Sequence, residues 1–266
     1  MLSAKGVGGE LGGVPVQGAV DASKAKDKDA LGVMAGFNKR AYALVFEDAA
    51  GSRAMLTATF STKGKVKVAG TVGGVKISGS AQMSVGNRCA VPFAYVKASK
   101  GVAVSFVLWF DKDARLLDVG GLGAGVELVA CGPAEAPAPG TYRFAVEEAA
   151  VLAAVPEAIA DTPFEVSVAW NGRKFDAGKA AKVSLKKGVL TVDTSKGGNV
   201  SGLSLKYSKG ALSGSFTVYA VTENGKLVKN KFTVAGLLID GVGHATATCK
   251  KLPPVPVALE LEKETK

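Results

Sequence analysis

The chain has 266 residues, 47% of them hydrophobic, with 34 glycines, 10 prolines and a formal net charge of +10. That apolar content supplies a packed core and excludes global disorder. Glycine without a Gly-X-Y period excludes collagen, and no uninterrupted apolar run approaches the ~18 residues a spanning helix needs, so no membrane span is predicted. The length suits one large β domain or two ordinary ones.

Lysine carries most of the positive charge; arginine stands only at 40, 53, 88, 115, 143 and 173. Planar recognition of phosphate favours arginine, whereas lysines at turns and strand edges keep sheets from pairing with one another. A solvated lysine surface is therefore expected, and a nucleic-acid partner is disfavoured. Cys89, Cys131 and Cys249 fit no metal-ligand spacing, and no metal or other cofactor is expected; Cys89 and Cys131 can pair if the protein is exported. The start, "MLSAKGVGGELGG", lacks the apolar centre of a signal peptide.

Residues 1–30, glycine-rich and then charged, read as a partly ordered arm. "ALGVMAG" that follows suits one helical turn or the entry to a strand. From residue 41 the period becomes two. "AYALVFEDAAGSRAMLTATF" gives a hairpin turning at Asp48 and Gly51. "KGKVKVAGTVGGVKISGS" sets Val66 and Val68 on one face and Lys65 and Lys67 on the other, with a primed turn at Gly73-Gly74. "GVAVSFVLWF" reads as a strand buried on both faces, and "DVGGLGAGVELVACG" as one bent or bulged strand.

In "GPAEAPAPG", residues 132–140, prolines alternate with alanines between two glycines; this is the expected linker and domain boundary. The next stretch, "FAVEEAAVLAAVPEAIAD", fits helix by its alanines and glutamates and strand by its valines, with Pro156 as a stop. Strands then return. Asn171-Gly172 predicts a type I′ hairpin turn, and further turns fall at Lys187-Gly188, Lys209-Gly210 and Asn224-Gly225. Residues 61–72 align without a gap on 207–218, Lys63-Gly64 falling on Lys209-Gly210, one copy on each side of the linker.

The predicted fold is all-β: two related antiparallel units, barrel or sandwich, at 31–131 and 141–262, joined by the proline-rich connector.

Chemistry is sparse. His244 is the only histidine. On a strand "HATATC" it shares a face with Thr246 and Thr248, while Cys249 points the other way, so a Cys–His pair does not form. A serine hydrolase centred on His244 and Asp240 lacks a G-x-S-x-G elbow and stands only as a third reading. Asp111, Asp113 and Asp118 lack the glycine and closing glutamate of a calcium loop and read as a charged turn. Aromatic platforms are the remaining candidates. Trp109, Trp170, Tyr207 and Tyr219 fall on predicted strands, where an exposed ring stacks against a sugar; a tryptophan in a β-protein more often belongs to the core.

The segments "VAWNGRKF", "GKAAKVSLKKGVL", "SGLSLKYSKGALSGSFTVY" and "NKFTVAGLLIDGVGHATATCKK", together with "TATFSTKGKVKVAGTVGGVKISGS", carry a pattern of small-polar strand, Lys-Gly turn and apolar strand. Over residues 31–262 this resembles a glycine- and lysine-rich all-β module of large secreted or surface proteins of bacteria. The resemblance implies an appended, non-enzymatic module for binding, attachment or structure. It brings no catalytic residues, and His244 stands where it implies an aromatic such as tyrosine. The expected partner is a protein or glycan at the cell surface. A carbohydrate-binding module using Trp109 or Trp170 is the alternative.

Overall fold

The structure, a computed structural model, describes residues 7–11, 14–21, 28–86, 88–156, 158, 165–187, 189–193, 198–199 and 202–262. The fold is all-β, and the chain divides into two compact units at Ala134/Glu135.

In the first unit β1 (Val7–Leu11) and β2 (Val14–Asp21) form a hairpin, so part of the expected N-terminal arm is strand. Helix α1 (Lys28–Gly36) follows; "ALGVMAG" is helical because Ala30, Val33, Met34 and Phe37 make an i, i+3, i+4, i+7 stripe against the core. The meander then runs through β3 (Ala41–Asp48), β4 (Arg53–Phe60), β5 (Lys65–Val72), β6 (Val75–Gln82), the short β7 (Ser84–Val85), β8 (Cys89–Lys97), β9 (Val102–Phe110), β10 (Leu116–Gly120) and β11 (Val126–Pro133). These make two sheets, ordered β1-β2-β7-β8-β9-β10 and β11-β3-β4-β5-β6. The last strand, β11, pairs with the first strand of the meander, β3, but β6 and β10 are left as sheet edges. The single bent strand expected over 118–132 is two strands in different sheets, because five residues rich in glycine (121–125) let the chain cross between them. β11 also runs through Pro133, which the sequence placed in the linker; proline is tolerated at this sheet edge.

The second unit is a closed antiparallel barrel of β12 (Thr141–Val146), β13 (Glu165–Trp170), β14 (Lys174–Asp176), β19 (Ser204–Ser208), β20 (Ala211–Val221), β21 (Leu227–Ile239), β22 (Val242–Thr248) and β23 (Val255–Leu261), the last pairing back onto β12. Between β14 and β19 an excursion carries a two-residue parallel pair, β15 (Lys179–Ala180) with β18 (Gly198–Asn199), and a hairpin of β16 (Lys182–Lys186) with β17 (Val189–Asp193). Helix α2 (Glu148–Ala154) sits between β12 and β13. It buries Val151 and Ala154 and stops before Pro156, whose ring forces Val155 out of helical geometry (φ −134°).

The turns refine the sequence reading. At Asn171-Gly172 only Gly172 has positive φ (85°), and the Asn171 N–H donates to Lys174 O, so Asn171 is the first residue of a type II′-like turn rather than a central residue of type I′. The Asn171 side chain explains the shift: its Oδ1 accepts from the N–H groups of Arg173 and Lys174. Gly73-Gly74, Lys209-Gly210 and Asp240-Gly241 do have both φ values positive, as type I′ requires. Lys63-Gly64 instead belongs to a three-residue loop closed by Ser61, with only Gly64 positive. The two stretches aligned by sequence thus differ in turn type, and β5 and β20 are the third and fifth strands of their meanders. A closer structural correspondence is Tyr42 with Tyr142. Each is the second residue of the first meander strand, is buried, and donates its hydroxyl to a backbone carbonyl.

Both units hold glycines where a neighbouring backbone leaves no room. A Cβ on Gly70 would lie 2.0 Å from Met55 O, and one on Gly214 would lie 2.1 Å from Ser204 O. Gly70 lies opposite Leu56 and Gly214 opposite Leu205, so in each unit a hairpin coils tightly at an inward-facing glycine.

Candidate functional site

In the first unit one end is filled and the other is open. At the filled end Phe37, Tyr42, Phe60 and Phe110 pack ring against ring, with centroid separations of 4.9–5.7 Å. The Tyr42 hydroxyl and the Arg40 guanidinium (3.2 Å) both donate to the carbonyl of Ala114. Ala114 is fully buried in the left-handed region (φ 60°), held there by the turn at Asp111. Asp111 Oδ1 accepts from the N–H groups of Asp113 (2.9 Å) and Arg115 (2.8 Å), and Asp118 Oδ1 from Val119 N–H. Asp111 therefore organises the charged turn that the sequence suggests, with Asp113 inside it, whereas Asp118 lies beyond the turn, in the middle of β10 opposite Trp109.

The opposite end is a mouth of about 270 Å³ between the sheets. Phe46, Ala54, Val72 and Val126 line it from one sheet, Ala94 and Val104 from the other, and Leu122 from the glycine-rich connection. Phe46 is the aromatic residue of the lining, and behind it the core continues as a run of rings: Phe46–Phe106 at 5.5 Å, Phe106–Phe93 at 5.1 Å and Phe93–Tyr95 at 6.5 Å. The rim is acidic. Glu47 is paired with Arg53 at 2.6 Å, and Asp48 Oδ1 accepts from the N–H groups of Ala50 (3.0 Å) and Ser52 (2.8 Å). Polar groups at the rim are thus engaged locally, and the lining offers a guest mainly hydrophobic contact.

A difference in one connection explains why this end is open. In the second unit the first and second strands of the barrel are joined through α2, whose Val151 and Ala154, with Val155 just after it, bury into the barrel core. In the first unit the same connection is a three-residue turn between Asp48 and Ser52, with Gly51 at φ 74°. A turn that short leaves the strand ends uncovered. The unpaired edges widen the opening. On β10 and β11, Leu117 is 49% exposed, Leu128 39% and Val129 42%. Leu128 lies opposite buried Phe46, on a core-facing position with no strand beyond it.

The four aromatic candidates lie in different settings. Trp109, on β9 between Ala90 and Asp118, is half-buried on the face turned away from the core. Tyr219 also faces outward from its barrel, with the Lys229 ammonium 5.9 Å from its ring centroid. Trp170 and Tyr207 face inward at one rim of the second barrel. Trp170 lies 4.9 Å from Phe175 and, edge to face, 5.9 Å from Tyr207. The Tyr207 hydroxyl donates to Glu135 O. These two rings are engaged with each other and with Phe175 within their own unit.

His244 lies in mid-sheet between Leu237 and Ala258. Its strand alternates: Gly243, Ala245 and Ala247 are buried, whereas His244 and Thr246 lie on the outer face. Cys249 packs against the barrel core, on the opposite side from His244. The three cysteines are thiols, and burial pushes the Cys89 thiol above the usual range. Among the described residues no cluster of His, Cys, Asp or Glu has metal-binding spacing, and no helix is long and apolar enough to cross a membrane.

Comparison with known proteins gives no matching family, no matching curated protein and no matching solved structure.

Proposed function

We propose that this chain is a non-enzymatic binding module, carried by a secreted or surface protein of bacteria, whose first unit receives an apolar group in its open mouth. The observation that carries the reading is the asymmetry of the two units. The second unit is a closed barrel with a helix packed into its core, while the first, built of two sheets, keeps a cavity of about 270 Å³ lined by Phe46, Val72, Val104 and Leu122. Burying a leucine-sized group there is worth ~1.5–3 kcal/mol. The export context rests on the resemblance of residues 31–262 to modules of that kind.

Uptake of a neutral apolar dye such as Nile red tests the mouth. The wild type binds it, and Leu122→Arg, which sets a charge in the half-buried lining, abolishes binding while the protein stays folded. No uptake by the wild type, or equal uptake by folded Leu122→Arg, defeats the proposal.

A carbohydrate-binding reading is favoured by one feature, the outward-facing and half-buried Trp109 beside Asp118. It predicts glycan retention that Trp109→Ala removes.

A further inference from the structure

The segment Glu135–Gly140 is bound by the second barrel in the manner of a ligand. The Tyr207 hydroxyl donates to Glu135 O, the Tyr142 hydroxyl donates to Ala138 O at 3.1 Å, and the backbone N–H of Trp170, continuing the β12–β13 ladder, donates to Gly140 O at 3.1 Å. Pro137, between the first two anchored carbonyls, is buried, although Glu135, Ala136, Ala138 and Pro139 around it are exposed. The segment has neither helix nor strand. Pro137 and Pro139 fix their own φ and drive Ala136 and Ala138 to extended geometry, so little further order is needed when it docks. The side-chain groups that meet it are two tyrosine hydroxyls aimed at carbonyls that accept no intrasegment bond, and the Trp170 ring stands edge to face against one of those tyrosines, Tyr207. Those are the chemical requirements for recognising an extended proline-rich peptide.

From this we infer that the rim formed by Tyr142, Trp170 and Tyr207 is a binding site for proline-rich extended peptides of the Glu-Ala-Pro-Ala-Pro type, occupied in this chain by its own residues 135–140. The connector is therefore a tethered ligand as well as a spacer. Its tether supplies an effective concentration on the order of millimolar, which an external peptide must overcome. The site is in the second unit and does not depend on the reading given to the mouth of the first.

The test uses the full chain with a fluorescein-labelled peptide of sequence GPAEAPAPG, followed by anisotropy. Replacing both Pro137 and Pro139 with glycine loosens the resident segment and leaves the rim intact. This variant binds the peptide at least tenfold more tightly than the wild type, and adding Tyr207→Phe removes the gain. A folded double variant that binds no better than the wild type overturns the inference, as does a gain that Tyr207→Phe leaves untouched. Tyr207→Phe alone, in the otherwise intact chain, supplies a second readout that needs no peptide. A glutamate-specific protease then cuts after Glu135 at least tenfold faster than in the wild type, with the melting transition of the barrel retained. An unchanged cutting rate also overturns the inference.

Discussion

Replacing Gly214 with alanine probes the coiling that closes the second barrel. The added Cβ would lie 2.1 Å from Ser204 O, 3.0 Å from Leu205 Cα and 3.1 Å from Leu205 Cδ1. The nearest atom belongs to the backbone of the paired strand, so no side chain can rotate away, and the β19–β20 pair must separate by roughly 1 Å in an interior packed like an organic crystal. Overpacking of this kind costs ~1–3 kcal/mol where side chains can yield. Here they cannot, and a loss of about 3 kcal/mol or more is expected, lowering Tm by roughly 10 °C for a unit of this size. Gly172→Ala is the matched control. Gly172 has positive φ (85°) but no atom within 4 Å of an added Cβ, so it incurs only the left-handed backbone penalty of ~1–2 kcal/mol. Thermal and urea unfolding followed by circular dichroism give both values. Equal losses for the two variants would refute the claim that close backbone approach, rather than turn geometry, requires glycine at 214.

The remaining predictions concern buried polar groups and the thiol. Tyr42→Phe removes one of two donors to Ala114 O and lowers stability by ~1–3 kcal/mol in chemical denaturation, while Arg40 keeps the carbonyl partly satisfied. Burial raises the phenol pKa of Tyr42, Tyr142 and Tyr207 above the ordinary value of 10.0. The folded state therefore holds these protons after the unfolded chain has lost them. Their contribution to stability is fully present below about pH 10 and is lost as pH rises from there through the folded values. Absorbance titration at the tyrosinate band should show these groups ionising later than in urea, and each Tyr→Phe substitution should remove its share of the alkaline loss. Cys89, a buried thiol with its pKa raised by burial, should react with an aromatic disulfide reagent at pH 8 only as fast as the first unit opens. Rapid labelling of the native protein would contradict that placement.

The alternation of Val66 and Val68 with Lys65 and Lys67 was enough to indicate a half-buried strand, and the structure buries both valines. Alternation likewise placed His244 and Cys249 on opposite faces. What periodicity does not carry is the identity of a strand's neighbour. Nothing local in "DVGGLGAGVELVACG" distinguishes a bent strand from two strands in separate sheets, since the answer depends on whether β10 finds a partner beyond its own hairpin. Turn type was similarly underdetermined. The side chain of Asn171 captures two backbone N–H groups and moves the turn by one residue, whereas Asn224 sits within a three-residue loop closed by Gly225 (φ 67°). The mouth left one trace in the sequence that could have been used: a short Asp48–Gly51 turn in one unit where the other carries an alanine-rich helix. The sequence places Trp170 near a rim, and it lies at one, where its ring packs on Phe175 and on Tyr207, and Tyr207 in turn holds Glu135 of the proline segment. That assignment needed Tyr207 and Glu135, 72 residues apart, to be brought together.

The measurement that reaches the central claim most directly is a methyl-labelled NMR titration of the intact chain with a neutral apolar probe. The account predicts saturable shifts confined to the methyls of Val72, Val104, Leu122 and Val126, with those of Val218, Val234 and Leu259 in the closed barrel unmoved. Shifts centred on the second unit, or no saturable shift in the mouth, would contradict it.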